Sequence, residues 1–349
     1  GNGEAYELRS DSAGVHIAGA TSAGLRWGTQ TLLQLIERTP STQGPATRAV
    51  WQVPAVTIAD APRFAWRGSM IDVGRHMLTV RDIERHIDLL SRYKMNVLHW
   101  HLTEDQGWRI EIDSRPGLTG IGASTQVGGG GGGFYTKDDI RRILAHAEER
   151  HIVVVPEIDL PGHTNAALTA YPELALPGVV PTPYEGMEVG FSTLDPRNED
   201  SFRFAADVLG EVAELFPGPW LHIGGDECHA TDEADVVAAV ERIAAIAAAA
   251  GKTVVGWHEI GLAEALPPGT IGQYWGLTTQ PDERAERIRS IVSHGGAAIL
   301  SPADVAYFDI RYTEDHPVGL IWPGKPTTLE DAYGWEPTDV VPGLGEADI

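Results

Sequence analysis

Leu221-His222-Ile223-Gly224-Gly225-Asp226-Glu227 is a short apolar strand that breaks at two glycines and then delivers adjacent carboxylates. Successive side chains on a strand point to opposite faces, so a continuing strand would send Asp226 and Glu227 apart. Glycine accepts backbone angles closed to other residues, which lets both acids turn into one pocket at the strand's end. Crowding two carboxylates raises the pKa of at least one of them, as a proton donor working near neutral pH requires. A strand that ends in chemistry at its C-terminal edge is the arrangement of α/β barrels and open α/β sheets.

Outward from this stretch the same pattern repeats. Short β-branched runs at Ser69–Val73, Asn96–His101, Ile152–Pro156, Thr253–Trp257, Thr270–Trp275 and Ala297–Leu300 join Trp220–Ile223 as expected strands. Helix-period segments lie between them, at Val80–Tyr93, Lys137–Arg150, Ser201–Leu215, Glu233–Ala249 and Asp282–His294. Thr79 and Thr136 stand where N-caps belong, and Gly251 and Gly295 where helices should stop. The expected fold is a (β/α)8 barrel over residues 51–349, because polar and aromatic residues collect at the strand ends. No eighth strand is legible after Trp335-Glu336-Pro337. Residues 1–50 differ: Tyr6–Ser10 and Gly14–Ala18 read as a hairpin and Ala23–Glu37 as an amphipathic helix, the end of a small α+β domain. The run Gly128–Gly133 reads as a mobile loop.

Composition narrows the partners. The chain has 349 residues, 42% hydrophobic and 21% charged, and a formal net charge of −23, which opposes binding to nucleic acid or anionic membrane. No run of about twenty apolar residues predicts a membrane span. The first residues, Gly1-Asn2-Gly3-Glu4, do not read as a signal peptide. The single cysteine, Cys228, excludes an intrachain disulfide and reads as a small packing residue.

Other strand ends supply polar groups. Asp72-Val73-Gly74-Arg75-His76 offers a guanidinium able to grip sugar hydroxyls, or to form a structural ion pair. His99-Trp100-His101 leads into Thr103-Glu104-Asp105-Gln106, and Pro156-Glu157-Ile158-Asp159-Leu160-Pro161-Gly162-His163 leaves a histidine able to orient a carboxyl. Trp257, Trp275 and Tyr307 lie on or beyond the later strands, where aromatic faces can pack against pyranose rings.

The segments RGSMIDVGRH, LHWHLTEDQGWR, VPEIDLPGHT and HIGGDE, in this order, resemble glycoside hydrolase family 20, the β-N-acetylhexosaminidases, from about residue 20 onward. That resemblance implies a (β/α)8 barrel after a small α+β domain, and release of terminal β-linked N-acetylglucosamine or N-acetylgalactosamine from an oligosaccharide, chitin fragments included. By motif, Glu227 resembles the general acid/base and Asp226 the residue that orients the substrate's 2-acetamido group. His163 and Glu104 resemble a relay supporting the acid, and Arg75 a binder of the terminal sugar's hydroxyls. Trp257 and Trp275 resemble pocket walls, Tyr307 a donor to the acetamido carbonyl, and Asp309 a hydroxyl-binding residue. Glu104 departs from the aspartate common at its position, and a final pocket tryptophan and glutamate expected from an eighth strand are not seen before Ile349. No metal or cofactor is implied, and a secreted or periplasmic location is favoured over a cytoplasmic one.

Neighbouring carboxylates on one strand end cannot easily flank a scissile bond, whereas ordinary retaining and inverting enzymes need them on both sides. The substrate's own acetamido oxygen removes the difficulty by attacking the anomeric carbon, which predicts retention through an oxazolinium-type intermediate. Two other readings compete. A metal-dependent barrel hydrolase could draw ligands from His99, His101, His163, His222, Asp226 and His229, but no lysine among Lys94, Lys137, Lys252 and Lys325 stands at a mid-barrel strand end to bridge two metals. A sugar-binding module without turnover fits the missing strand.

Overall fold

The computed structural model describes residues 2–40, 49–279 and 283–349. Two compact units divide the chain: residues 1–69, 81–98 and 145–153 form one, and residues 70–80, 99–144 and 154–349 the other.

In the first unit β1 (Tyr6–Asp11) and β2 (Gly14–Gly19) form the expected antiparallel hairpin, and β5 (Val56–Asp60) pairs with the other edge of β1. The small sheet therefore takes its third strand from beyond residue 50. Strand β1 alternates, and its inward Tyr6 and Leu8 form a core with Trp27 of α1 (Ser22–Leu35), closed by Ile17, Val56 and Ile58. Full burial of a leucine such as Leu8 contributes about 2 kcal/mol. Thr21 caps α1 by accepting the Ala23 N–H at 3.2 Å. The helix stops at Leu35, short of the expected Glu37, because β3 (Glu37–Pro40) leaves it to pair with β4 (Ala49–Gln52). Residues 41–48 of the expected first domain lie outside the described residues. Most of α2 (Val80–Arg92) also belongs here, with Ser91 accepting from Arg26 at 2.7 and 3.0 Å.

The seven strands expected from sequence all form: β6 (Gly68–Asp72), β7 (Val97–His101), β8 (Val153–Glu157), β9 (Trp220–His222), β10 (Thr253–Trp257), β11 (Ile271–Tyr274) and β12 (Ala297–Leu300). They lie in one sheet in chain order, with parallel pairing from β8 through β12. The helices α3 (Lys137–Glu148), α4 (Glu199–Leu215), α5 (Glu233–Ala249) and α6 (Glu283–Ser293) match the expected positions. Asp282, the expected first residue of α6, lies outside the described residues. This is the (β/α)8-barrel pattern, with seven strands and no eighth among the described residues.

Local chemistry sets the boundaries. Thr136 and Asp139 exchange hydrogen bonds of 3.1 and 3.0 Å as a capping box at the start of α3. Gly251 and Gly295 take φ of 84° and 85° after α5 and α6, a conformation that ends a helix cheaply only for glycine. Strand β10 reaches β11 through a 3-10 turn, His258–Leu262. Near the chain's end, where the sequence reads as loop, a short helix Pro337–Val340 brings Val340 and Val341 against Tyr274, Ala285, Ile288 and Ala298. In the glycine run expected to be mobile, Gly128 donates to Glu185 O at 2.8 Å and Gly133 to Ala123 O at 2.9 Å. No described helix is long and apolar enough to cross a membrane.

Candidate active site

All the residues singled out from sequence belong to the second unit, and each follows or ends a strand. After β6 the chain turns through Gly74, where a Cβ would press on Glu104, and presents Arg75. Arg75 donates to Asp72 Oδ2 at 2.6 Å, and its other terminal nitrogen lies 2.6 Å from Glu104 Oε1. Burial alone would lower its pKa, but Glu104 and Asp72 raise it well above its usual value. Beneath it the fully buried Arg109 donates to the carbonyls of Val73, Gly74, Thr125 and Gly133 at 2.8–3.1 Å, fixing the loops around the site.

Glu104 continues the chain of contacts to His163, whose Nδ1 lies 2.7 Å from Glu104 Oε1. The longer glutamate therefore makes the reach that the substitution of aspartate put in question. The opposite nitrogen, His163 Nε2, faces both members of the dyad, 3.5 Å from Asp226 Oδ2 and 3.3 Å from Glu227 Oε2. Burial disfavours the charged imidazole, yet Glu104 and Asp226 outweigh it and lift the His163 pKa well above its ordinary value. His163 is thus an imidazolium between anions at neutral pH.

The turn after β9 works as its glycines require. Gly224 and Gly225 take φ of 71° and 100°, and Glu227 itself is left-handed at 49°. A Cβ on Gly224 would overlap Asp159 Oδ1, the atom that accepts the Gly225 N–H at 3.1 Å. The carboxylates of Asp159 and Asp226 and the His163 imidazole have ligand atoms within 4.8 Å of one another. A further carboxyl, Asp159, crowds Asp226 from the end of the neighbouring strand. Burial and the Asp226 charge push Asp159 well above the carboxylate range. Asp226 moves down: burial raises it, but the His163 charge and hydrogen bonds from His163 and Asp159 hold it ionised. Cys228, just beyond, is 8% exposed and its thiol is pushed up by burial, which fits a packing residue.

The aromatic residues form a second set. Trp257 at the end of β10 donates its indole N–H to Glu157 Oε1 at 2.9 Å. His99 Nε2 and His101 Nδ1 lie 2.7 and 2.6 Å from Glu157 Oε2, and His222 Nδ1 lies 3.2 Å from Oε1. Burial holds His99 down to about 4, whereas Glu157 and Asp72 overcome burial to lift His101 to about 9. The ligand set of the metal reading is thus divided: His99, His101 and His222 gather on Glu157, while His163 and Asp226 belong to the other cluster. Trp275 donates to Glu259 Oε2 at 3.1 Å. Its ring meets Trp322 at 6.2 Å, and Trp322 meets Tyr307 at 5.3 Å and donates to Asp309 Oδ2 at 2.9 Å. Burial and the Asp226 charge raise the Tyr307 hydroxyl well above its usual pKa.

Arg75, Glu104, His163, Asp226 and Glu227 are therefore joined by direct contacts, Trp275, Tyr307 and Asp309 meet around Trp322, and Trp257 is held by Glu157. Sequence reasoning passed over Asp159, Glu157, Trp322, Glu259 and Arg109. Asp159 and Glu157 stand in the VPEIDLPGHT segment, and their placement within it was the available signal.

Comparison with known proteins identifies the family of the chain. The model for "Glycosyl hydrolase family 20, catalytic domain" matches residues 64–346, and that for "domain 2" of the same family matches residues 2–61. A beta-N-acetylhexosaminidase of Cellulomonas fimi is 42% identical over 98% of this chain and 66% of its own length. A beta-hexosaminidase of Porphyromonas gingivalis is 36% identical over 96% of this chain and 44% of its own length. The chain spans less than two thirds of either relative. Among solved structures, a family 20 beta-N-acetylglucosaminidase superposes with a TM-score of 0.93 at 48% identity, covering 100% of this chain and 73% of that one. The Streptomyces plicatus N-acetyl-beta-hexosaminidase in complex with Thio-NAglucal gives a TM-score of 0.92 at 46% identity, covering 99% of this chain and 68% of that one. Motifs, strand order and these matches converge, and the chain belongs to glycosyl hydrolase family 20.

Proposed function

We propose that this chain carries the active centre of an exo-acting β-N-acetylhexosaminidase, which removes terminal β-linked N-acetylglucosamine or N-acetylgalactosamine with retention of configuration. The observation that carries the reading is the convergence of Asp226 and Glu227 on one atom, His163 Nε2, at 3.5 and 3.3 Å. Two carboxyls that reach the same nitrogen lie on one side of a bound sugar and leave its far face without a protein nucleophile. The substrate's acetamido oxygen fills that role. It attacks the anomeric carbon as Glu227 protonates the departing oxygen, and the resulting cyclic oxazolinium opens when water, deprotonated by Glu227, adds from the face the leaving group vacated, breaking the bond to the acyl oxygen.

The remaining groups serve that displacement. Ionised Asp226 accepts the acetamido N–H and balances the positive charge that grows on the ring, where a preset anion is most effective. Asp159 and His163 keep it ionised and in place. Glu104 holds His163 charged, while Arg75, paired with the same carboxylate, has donors left for the sugar's hydroxyls. Tyr307 donates to the acetamido carbonyl, Trp257 and Trp275 enclose its methyl, and Asp309 binds a hydroxyl.

The test is substrate discrimination: p-nitrophenyl N-acetyl-β-glucosaminide is cleaved and p-nitrophenyl β-glucoside is not. Equal turnover of the two would take the acetamido group out of the reaction. Binding of an N-acetylglucosamine-thiazoline with no hydrolysis of either substrate would leave a sugar-binding module.

A further inference from the structure

Glu259 is a largely buried carboxyl to which the mechanism above gives no task. It sits on the 3-10 turn directly after β10, two residues beyond Trp257, with its side chain 18% exposed. Its Oε2 accepts the Trp275 indole N–H at 3.1 Å, and its Oε1 lies 3.2 Å from His258 Nε2. We propose that Glu259 is a positioning residue: by accepting the indole N–H it fixes Trp275 as a wall for the substrate's acetamido group. The inference rests on the acetamido reading for the identity of that ligand.

The surroundings favour a neutral acid. From the loop after β9 it faces Asp226, a like charge, and from the loop after β12 the un-ionised Tyr307. On its own turn His258 is no counter-ion, since burial and the charges of Arg287 and Arg284 hold its pKa down at about 3. From α6 come two cations: Arg287, 3.6 Å from Glu283, opposes the upward shift of Glu259 without cancelling it, and Arg284 lies over the Trp275 ring at 5.5 Å. From α5 the cavity beside the carboxyl is lined by Val236, Val237 and Val240 and by one further acid, Glu233. Burial first, and the Asp226 charge second, accordingly push Glu259 up to about 8.

Ionisation has a structural outlet. Glu259 and Trp275 line a cavity of about 400 Å³ that Arg284, Arg287, His229 and Glu227 also border. That volume holds several waters. A charged Glu259 is repelled by Asp226 and drawn across the hydrated cavity toward the two arginines. Trp275 then loses its acceptor, and the wall loosens.

Two variants separate this from a merely structural role. Glu259→Gln still accepts the indole N–H but cannot ionise, while Glu259→Leu keeps the bulk and loses the acceptor. With p-nitrophenyl N-acetyl-β-glucosaminide between pH ~5 and ~10, the wild type loses about tenfold in kcat/KM per pH unit on an alkaline limb that begins near pH ~8. Glu259→Gln moves that limb up by about one pH unit or more, and at pH ~7 it exceeds Glu259→Leu by about tenfold. Superimposable wild-type and Gln profiles, or a Leu variant equal to Gln, overturn the proposal while leaving the hydrolase reading intact.

Thermal unfolding tests the proton without reference to turnover. An acid whose folded pKa is raised lowers stability as pH climbs from its unfolded value of 4.5 toward about 8. The Tm of Glu259→Gln minus that of wild type therefore grows across this window. A flat difference refutes a protonated Glu259 even if the protein hydrolyses nothing.

Discussion

Gly224 shows how tightly single residues are constrained at this site. Its φ of 71° lies in the left-handed region, and any Cβ would overlap Asp159 Oδ1. Gly224→Ala combines backbone strain of about 1–2 kcal/mol with loss of the Asp159–Gly225 hydrogen bond. We expect a total destabilisation of about 3 kcal/mol, read from the midpoint of urea unfolding, and a fall in kcat as Asp226 shifts. An unchanged midpoint and rate would mean the turn is not the device that aims the dyad. Glu227→Gln should keep the fold and remove proton donation, lowering kcat by about 10³-fold or more for substrates with poor leaving groups. The loss shrinks with activated aryl leaving groups, and a uniform loss across leaving groups contradicts the role. At this scale the sequence was partly legible. The Gly-Gly lead-in announced that both acids turn together. That Asp159 is a raised carboxyl was hidden, because it depends on Asp159 and Asp226, 67 residues apart, meeting where β8 and β9 lie side by side in the sheet.

Among the elements, the ends of β7, β8, β9 and β10 are bound together through Glu157. It lies at 2.6–3.2 Å from three imidazoles and accepts from Trp257. The alternation His99-Trp100-His101 reads in sequence as a metal-binding strand face, yet both imidazoles are spent on one buried carboxylate. Glu157 was not singled out: its place in the VPEIDLPGHT segment marked it, but its three imidazole partners come from other strands. The pair has a definite pH signature. His101 is raised, so its contribution to stability is complete below its unfolded value of 6.5 and is lost as pH rises through about 9. Glu157 is lowered, so the same interaction is lost in acid below its unfolded value of 4.5. Stability should therefore decline between pH 6.5 and about 9, as followed by thermal unfolding. Glu157→Gln should flatten that decline and cost about 3–5 kcal/mol at neutral pH by leaving a buried cation unpaired. A variant with the wild-type pH slope would place the titration elsewhere.

For the molecule as a whole, the seven barrel strands were visible because each is a short β-branched run with a helix-period segment or a turn signal after it. Non-local pairings were not. Strand β5 joins the small sheet across more than 40 residues from β1, and β3 leaves α1 early to meet β4. Trp322, 44% exposed, lies in a loop-like stretch and gains meaning only where it touches Trp275, Tyr307 and Asp309. In the proposed reading one acid, one orienting anion and an aromatic enclosure stand on the same side of the sugar, and the burden of nucleophilic attack falls on the substrate. The most direct test varies that nucleophile alone. Aryl N-acyl-β-glucosaminides bearing acetyl, fluoroacetyl, difluoroacetyl and trifluoroacetyl groups are compared by kcat/KM. If the acyl oxygen attacks, the rate falls stepwise with each fluorine, by about 10²-fold or more across the series. A rate that stays level from acetyl to trifluoroacetyl would contradict the account.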